Sequence, residues 1–241
     1  MPPTDTAAGA ALLDRFGRIV IINLPERPDR RAEMARELAR IGLALDHPAV
    51  QLFPAIRPAA TAGFPSIGAH GAFLSHLGVL ETILEQGWDR ALILEDDVSL
   101  GAGFARRLGP VLAQLNGQDW DMVYGHCRLH DLPAPNGLAQ VPPDRSVDLL
   151  HFLGMKASTA RLAVPYLRAM LARPTGSAEG GPMHVDGAYN WFRRSHPQLR
   201  VFAACPPLAV QRPSPSDIAA SRWHHRLPGL RALSRLWHGA R

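Results

Sequence analysis

The chain has 241 residues, of which 46% are hydrophobic and 20% are charged, proportions that exclude a disordered protein. Its formal net charge is +5, and nearly all of the basic charge is arginine, because Lys156 is the only lysine. This charge alone does not indicate a nucleic-acid partner, since no recognition motif accompanies it. The two cysteines, Cys127 and Cys205, form no CxxC pattern. That absence excludes a cysteine metal cluster and is typical of a reducing compartment.

Membrane-spanning and secreted classes are not indicated either. No apolar run reaches about 18 residues, the length that a spanning helix needs. The first residues are acidic before they are basic, which is not the order of a signal peptide. We therefore expect a cytoplasmic protein.

Strands and helices alternate along the chain after a flexible N-terminal tail that we predict over residues 1–17. The predicted strands cover residues 18–24, 51–56, 90–94, 121–125 and 201–206. The predicted helices cover residues 30–41, 72–86, 104–115, 159–171 and 185–194. Residues 57–69 and 130–146 are expected to be loops. This order predicts a single α/β domain over residues 18–218 with a mainly parallel central sheet, followed by a basic tail over residues 219–241.

An acidic triplet, Glu95, Asp96 and Asp97, follows the apolar strand segment ALIL. In an open α/β sheet, ligands bind at the carboxyl ends of the strands. Side chains alternate along a strand, so Glu95 and Asp97 should point one way and Asp96 the other. Such a pair can hold a hard divalent cation together with substrate phosphates. The alternative is a solvated turn in which Asp96 or Asp97 caps the next helix.

Three further segments carry candidate functional residues, each with a simpler alternative. The segment INLPERPDRR places Arg27, Arg30 and Arg31 near the same sheet edge, where arginine can pair with a diphosphate or can simply be solvated. Ser75 and His76 lie on an amphipathic helix, where a histidine is more often a packing residue. The segment VDGAYNWF places Asp186 at the start of a helix, where it can be a site residue or an N-cap.

Taken in order, these segments resemble glycosyltransferase family 25, which includes lipooligosaccharide galactosyltransferases and procollagen galactosyltransferases. The resemblance runs through IVIINLPERPDRR, GAHGAFLSHLGVLETILEQGWDRALILEDDV, HFLGMKASTARLAVPYL, HVDGAYNWF and LAVQRPSPSDI. It implies a GT-A-type (Rossmann-like) fold and a nucleotide-sugar donor such as UDP-galactose. It also implies transfer to a glycan hydroxyl with inversion, and a divalent cation, Mn²⁺ or alternatively Mg²⁺.

The resemblance also suggests a role for each site residue. Asp97 is the expected metal ligand, with Asp96 as a supporting member of the metal set and His184 as a ligand or helper. Asp186 is the expected catalytic base, which an inverting transfer needs opposite the leaving group. The residues expected to bind substrate are Asn23, Arg27, Arg30, Ser75, His76, Glu95, Gln211 and Asp217.

The chain departs from the family pattern just before Ser75 and His76. Many members carry a glutamate there, in a GEIGC-like run, where this chain has Ala69, His70, Gly71 and Ala72. A non-catalytic member that binds a nucleotide sugar or glycan is therefore the alternative to an active enzyme. For an enzyme, we expect a lipid-linked acceptor of lipopolysaccharide or polysaccharide synthesis. The tail over residues 219–241 could then contact the inner face of an anionic membrane through its basic side chains and apolar anchors. The alternative is a solvated basic helix packed loosely on the domain.

Overall fold

The structure is a computed structural model that describes residues 6–126 and 137–212. A seven-stranded sheet lies at its centre, in the order β2-β1-β3-β7-β5-β8-β6. Five strands run in one direction, whereas β7 and β6 run against their neighbours. The sheet strands are β1 (Ile19–Asn23), β2 (Val50–Pro54), β3 (Arg90–Glu95), β5 (Met122–Tyr124), β6 (Gly137–Gln140), β7 (Phe152–Lys156) and β8 (Val201–Cys205). A separate two-stranded ribbon pairs β4 (Val98–Ser99) with β9 (Val210–Gln211).

Within residues 6–126 and 137–212, six helices cover the two faces of the sheet. They are α1 (Thr6–Phe16), α2 (Pro28–Arg40), α3 (Ile67–Glu85), α4 (Phe104–Asn116), α5 (Ala157–Ala172) and α6 (Val185–Ser195). Residues of α3, α5 and α6 share one core cluster, and residues of α1, α2 and α4 share the other. The predicted α/β fold class is confirmed, and five of the seven strands of the central sheet run in one direction.

Strand β1 shows why the sheet has helices on both faces. All five of its residues are buried. Val20 and Ile22 belong to the core on the α3 side, whereas Ile19 and Ile21 belong to the core on the α2 side. Alternate side chains of a strand point to opposite faces, so a continuous apolar run must be covered twice. The run IVII thus specifies a central strand.

Helix α3 is the one described helix that is long and apolar enough, by length and composition, to cross a membrane. Nine of its 19 residues are buried within the domain. Phe73, Leu77 and Leu80 lie on this buried side, as their spacing predicted. The apolar composition of α3 is therefore explained by its packing against the sheet.

Several sequence predictions differ from the structure. Residues 6–16 form helix α1 and not a flexible tail, because Leu12 and Phe16 are buried against the sheet. Helix α3 begins at Ile67, inside the loop predicted over residues 57–69, because the Ser66 hydroxyl caps it. The loop predicted over residues 130–146 contains strand β6, which pairs with β8.

Candidate active site

The acidic triplet occupies the turn between β3 and β4, at the carboxyl end of the parallel strands β1 and β3. A cleft of about 440 Å³ opens there. One part of its wall is charged and includes Arg30, His76 and the three acidic residues. The rest of the wall is mainly apolar and includes Ile22, Leu24, Ala55, Ile56, Pro58, Ile67 and Ala72. The cleft therefore offers both a polar end and an apolar surface to one ligand.

Glu95 is paired with His76 across the floor of the cleft. His76 Nε2 lies 3.2 Å from Glu95 Oε1, and the histidine side chain is only 1% exposed. Burial disfavours the charged carboxylate, but the hydrogen bond and the electrostatic interaction with His76 outweigh it and lower the pKa of Glu95. Glu95 is therefore ionised and held in one orientation. This contact gives the buried His76 a definite role in the site.

Asp96 is held on the other side of the turn by two side-chain donors. Arg30 Nη1 donates to Asp96 Oδ1 at 2.8 Å, and Asn23 Nδ2 donates to Asp96 Oδ2 at 2.8 Å. Both charged side chains are at most 10% exposed. Because each carboxylate oxygen already accepts a hydrogen bond, Asp96 anchors the turn to β1 and α2.

Asp97 differs from Asp96 because only one of its two carboxylate oxygens accepts a hydrogen bond from the described residues. Gln211 Nε2 donates to Asp97 Oδ2 at 2.9 Å. No hydrogen-bond partner of Asp97 Oδ1 lies within the described part of the chain. Burial, followed by the nearby charge of Glu95, raises the pKa of Asp97 to about 6. A cation at this carboxylate would relieve both effects.

The donor set fits a divalent cation that is shared with a substrate. The described residues form no cluster of three or more His, Cys, Asp or Glu side chains suited to a metal ion. A hard cation such as Mg²⁺ or Mn²⁺ does not need one, because it commonly takes one or two carboxylates and completes its shell with phosphate oxygens and water. Asp97 would supply the first ligand, with Glu95 beside it.

The chain is similar in sequence to proteins of glycosyltransferase family 25. Procollagen galactosyltransferase 1 of Danio rerio is 28% identical over 178 residues, which is 63% of this chain and 28% of that protein. A glycosyltransferase 25 family member of Aedes aegypti is 30% identical over 145 residues, or 49% of this chain and 23% of that protein. The resemblance to glycosyltransferase family 25 is confirmed. No protein-family model matches the chain.

Some of the relatives are named as inactive, and the chain matches only a part of each relative's length. A probable inactive glycosyltransferase 25 family member 3 of Rattus norvegicus is also similar, at 30% identity over 127 residues, or 45% of this chain and 22% of that protein. The chain spans between 20% and 28% of the length of the curated relatives it matches. The relatives from family 25 therefore include proteins that are named for an activity and proteins that are named as inactive.

Solved structures are more distant. A197 from STIV is 14% identical with a TM-score of 0.38, and covers 85% of this chain and 100% of its own. A glycosyltransferase involved in glycosylation of the major capsid of PBCV-1 is 10% identical with a TM-score of 0.37, and covers 78% of this chain and 92% of its own. Likenesses this weak carry no argument.

Of the residues suggested by the family 25 resemblance, most meet at the cleft. Its lining includes Arg30, Ser75, His76, Glu95, Asp96 and Asp97. Asn23 and Gln211 are not among the lining residues, but they donate hydrogen bonds to Asp96 and Asp97, which are. The Ser75 hydroxyl is internal to the fold, because it donates to Gly71 O and accepts from Ile56 N. Ser75 thus fixes the chain after β2 against α3.

Other suggested residues are not among those that line the cleft. Arg27 donates to its near neighbour Asp29 at 2.9 Å and does not line the cleft. His184 is exposed as the N-cap of α6, so the structure does not unite it with Asp96 and Asp97 as a metal set. Asp186 is half-buried, and its Oδ1 accepts from Gly187 N. Asp217 and the tail over residues 219–241 lie outside the described residues.

Sequence reasoning missed two parts of the site. The first turns of α3, including Ser66 and Gly68, line the cleft because the helix begins earlier than its apolar pattern. Arg212 donates to main-chain carbonyls of the acidic turn. No periodicity marks either feature, although the Ser66 cap followed by a helix-forming run was a readable signal.

Proposed function

We propose that this chain is a glycosyltransferase that transfers a sugar, in our expectation galactose, from a UDP-sugar to a glycan hydroxyl with inversion. The observation that carries the proposal is the half-engaged carboxylate of Asp97 at a cleft with an apolar wall. A nucleotide sugar has matching parts, since it joins a flat base to a doubly charged diphosphate. Similarity to family 25, including procollagen galactosyltransferases, supports the same reading.

Within this proposal each acidic residue has a separate task. Asp97 would hold the divalent cation, Mn²⁺ or Mg²⁺, and Glu95 would face the ribose or the hydration shell of the ion. Asp96 would keep the turn in place through its bonds to Arg30 and Asn23. The bound cation would supply charge stabilisation to the departing diphosphate. The protein's own contribution is a fixed, partly desolvated orientation of these groups.

An inverting transfer also needs a group that accepts the proton of the attacking hydroxyl. We assign this task to Asp186 on the first turn of α6. Helix α6 packs on α3 through a ring contact of Tyr189 with His76, whose centroids are 5.9 Å apart. Replacing Asp186 with Asn should lower kcat and leave the KM for the UDP-sugar nearly unchanged. An unchanged kcat would assign the base elsewhere.

The wider setting follows from the same resemblance and is part of the proposal. We propose a lipid-linked acceptor of lipopolysaccharide or polysaccharide synthesis, and a cytoplasmic protein at the inner face of the membrane. The net charge of +5 is compatible with an anionic surface.

The deciding experiment measures UDP release from a panel of UDP-sugars in the presence of Mn²⁺. Asp97→Asn should reduce release by about 100-fold or more, because a metal contributes several kcal/mol to such a step. Asp46→Asn is the matched control, since Asp46 is exposed and does not line the cleft. Release that is independent of Mn²⁺, or equal in the two variants, would contradict the proposed site.

The second candidate is a family member that binds a nucleotide sugar without transferring it. It is favoured by the relatives named as inactive and by residues 69–72, which include the buried Ala69 and stand where many members carry a glutamate. Saturable UDP binding without turnover on any donor, with glycan acceptors present, would select this candidate over the enzyme.

A further inference from the structure

The acidic turn is fastened to the end of the described chain by one arginine. Arg212 donates its backbone N–H to Asp97 O at 2.8 Å. Its guanidinium donates through Nη2 to Asp96 O and through Nη1 to Val98 O. The carbonyls of three consecutive residues, Asp96, Asp97 and Val98, therefore accept from a single residue. Carbonyls that are removed from water need such partners, and Arg212 supplies them here.

The guanidinium is itself held from a third direction. Arg212 Nη2 lies 3.2 Å from Glu33 Oε2 on helix α2, and the arginine side chain is 20% exposed. A planar guanidinium has several donors in fixed directions, so it can serve two carbonyls and one carboxylate together. A lysine ammonium is a single compact charge and cannot span the same set.

The preceding residue completes the contact. Gln211 pairs with Val98 in the β4–β9 ribbon, and its side-chain amide donates to Asp97 Oδ2 at 2.9 Å. The other carboxylate oxygen, Asp97 Oδ1, has no hydrogen-bond partner among residues 6–126 and 137–212. Backbone and side chain of the turn are thus both oriented from residues 211–212.

We propose that Arg212 is a positioning residue that, with Gln211, fixes the Asp97 carboxylate for a cation bound together with a nucleoside diphosphate. The inference rests on the proposed function, and it adds to it a residue that touches neither the substrate nor the cation. Arg212 acts by holding the turn, and Asp97 makes the contact. Residues that orient a metal ligand in this way commonly change metal affinity by 10- to 100-fold when replaced.

The test measures UDP binding by calorimetry with and without Mn²⁺, using the full chain. Arg212→Met should weaken Mn²⁺-dependent UDP binding by about 10-fold or more and change metal-free UDP binding by less than about twofold. Arg212→Lys should stay close to Arg212→Met, because the charge is kept and the fork is lost. Hydrogen exchange should speed up at residues 96–99 in both variants, and not across β1 or α3.

Arg107→Met is the matched control. Arg107 also donates to two carbonyls, of Ala102 and Leu208, but it is not bonded to the acidic turn. This variant should bind UDP with Mn²⁺ as the wild type does.

The outcomes separate the positioning role from the proposed function. If the wild type shows Mn²⁺-dependent UDP binding and folded Arg212→Met matches it, the role of Arg212 is refuted and the proposed function stands. Equal loss with and without Mn²⁺ would likewise refute it, since that pattern indicates general damage. Restoration by Arg212→Lys would overturn the argument from the fork. A wild type without Mn²⁺-dependent UDP binding would overturn both proposals.

Discussion

The bond between Arg30 and Asp96 allows a sharp prediction about stability. Arg30 Nη1 and Asp96 Oδ1 are 2.8 Å apart, and their side chains are 10% and 8% exposed. Asn23 satisfies the second carboxylate oxygen. We expect Arg30→Met to destabilise the protein strongly, because it removes the charged partner of a carboxylate that stays buried.

The magnitude follows from this burial. Breaking a buried ion pair by removing one partner costs about 3–5 kcal/mol, because the remaining charge is left uncompensated. An exposed pair on the same protein supplies the contrast. Arg168 pairs with Glu81 at 2.8 Å, but its side chain is 63% exposed. Arg168→Met should cost at most about 1 kcal/mol.

Urea unfolding followed by circular dichroism gives the free energy of unfolding for each variant. The double variant Arg30→Met with Asp96→Leu should recover part of the loss, since it leaves neither charge buried. Its cost should fall short of the sum of the single costs by at least about 1 kcal/mol. Additive costs, or equal effects of Arg30→Met and Arg168→Met, would refute the reasoning.

Three further predictions concern other parts of the fold. Gly154→Ala should cost about 1–3 kcal/mol in urea unfolding, because its Cβ would lie 2.4 Å from Phe16 Cε1; Gly109→Ala, whose Cβ meets nothing within 4 Å, should be neutral or stabilising. Ser66→Ala should cost about 1 kcal/mol in the same assay, because α3 loses its cap, and an unchanged midpoint would contradict this. Burial lowers the pKa of His151 from 6.5 to about 4, so an unfolded chain gains a proton before the folded one does. The contribution of neutral His151 to stability is complete above pH 6.5. It is lost as the pH falls from 6.5 to about 4, which lowers the free energy of unfolding by about 3 kcal/mol. His151→Asn should therefore make the free energy of unfolding decline less steeply between these pH values.

Much of the fold could be predicted from local patterns. The run IVII gave a two-faced central strand, and the spacing of Phe73, Leu77 and Leu80 gave the buried face of α3. These signals are local, because one face or both faces of a single element decide them. The position of the acidic triplet at a strand end was equally local, and the cleft lies there.

The elements that were missed depend on distant contacts. Strand β7 contains Gly154, which reads as a turn residue in isolation. In the fold this glycine leaves room for Phe16 of α1 and for Val123 of β5. Helix α1 was missed for a similar reason, because its short apolar stripe is stabilised only when Phe16 packs against Gly154 of β7. The structure of α1 and that of β7 each depend on the other segment, so neither element could be predicted from its own residues.

The candidate site also combines a local sequence feature with contacts from distant parts of the chain. Glu95, Asp96 and Asp97 are neighbours in sequence, yet each is controlled by a different part of the chain. His76 holds the first and Gln211 holds the third. Asp96 is held from β1 and α2. Since three like charges on one turn repel each other, their stability requires separate partners, and these distant contacts supply them. The sequence shows the charges, but only the fold shows that a buried oxygen, Asp97 Oδ1, has no hydrogen-bond partner among the described residues.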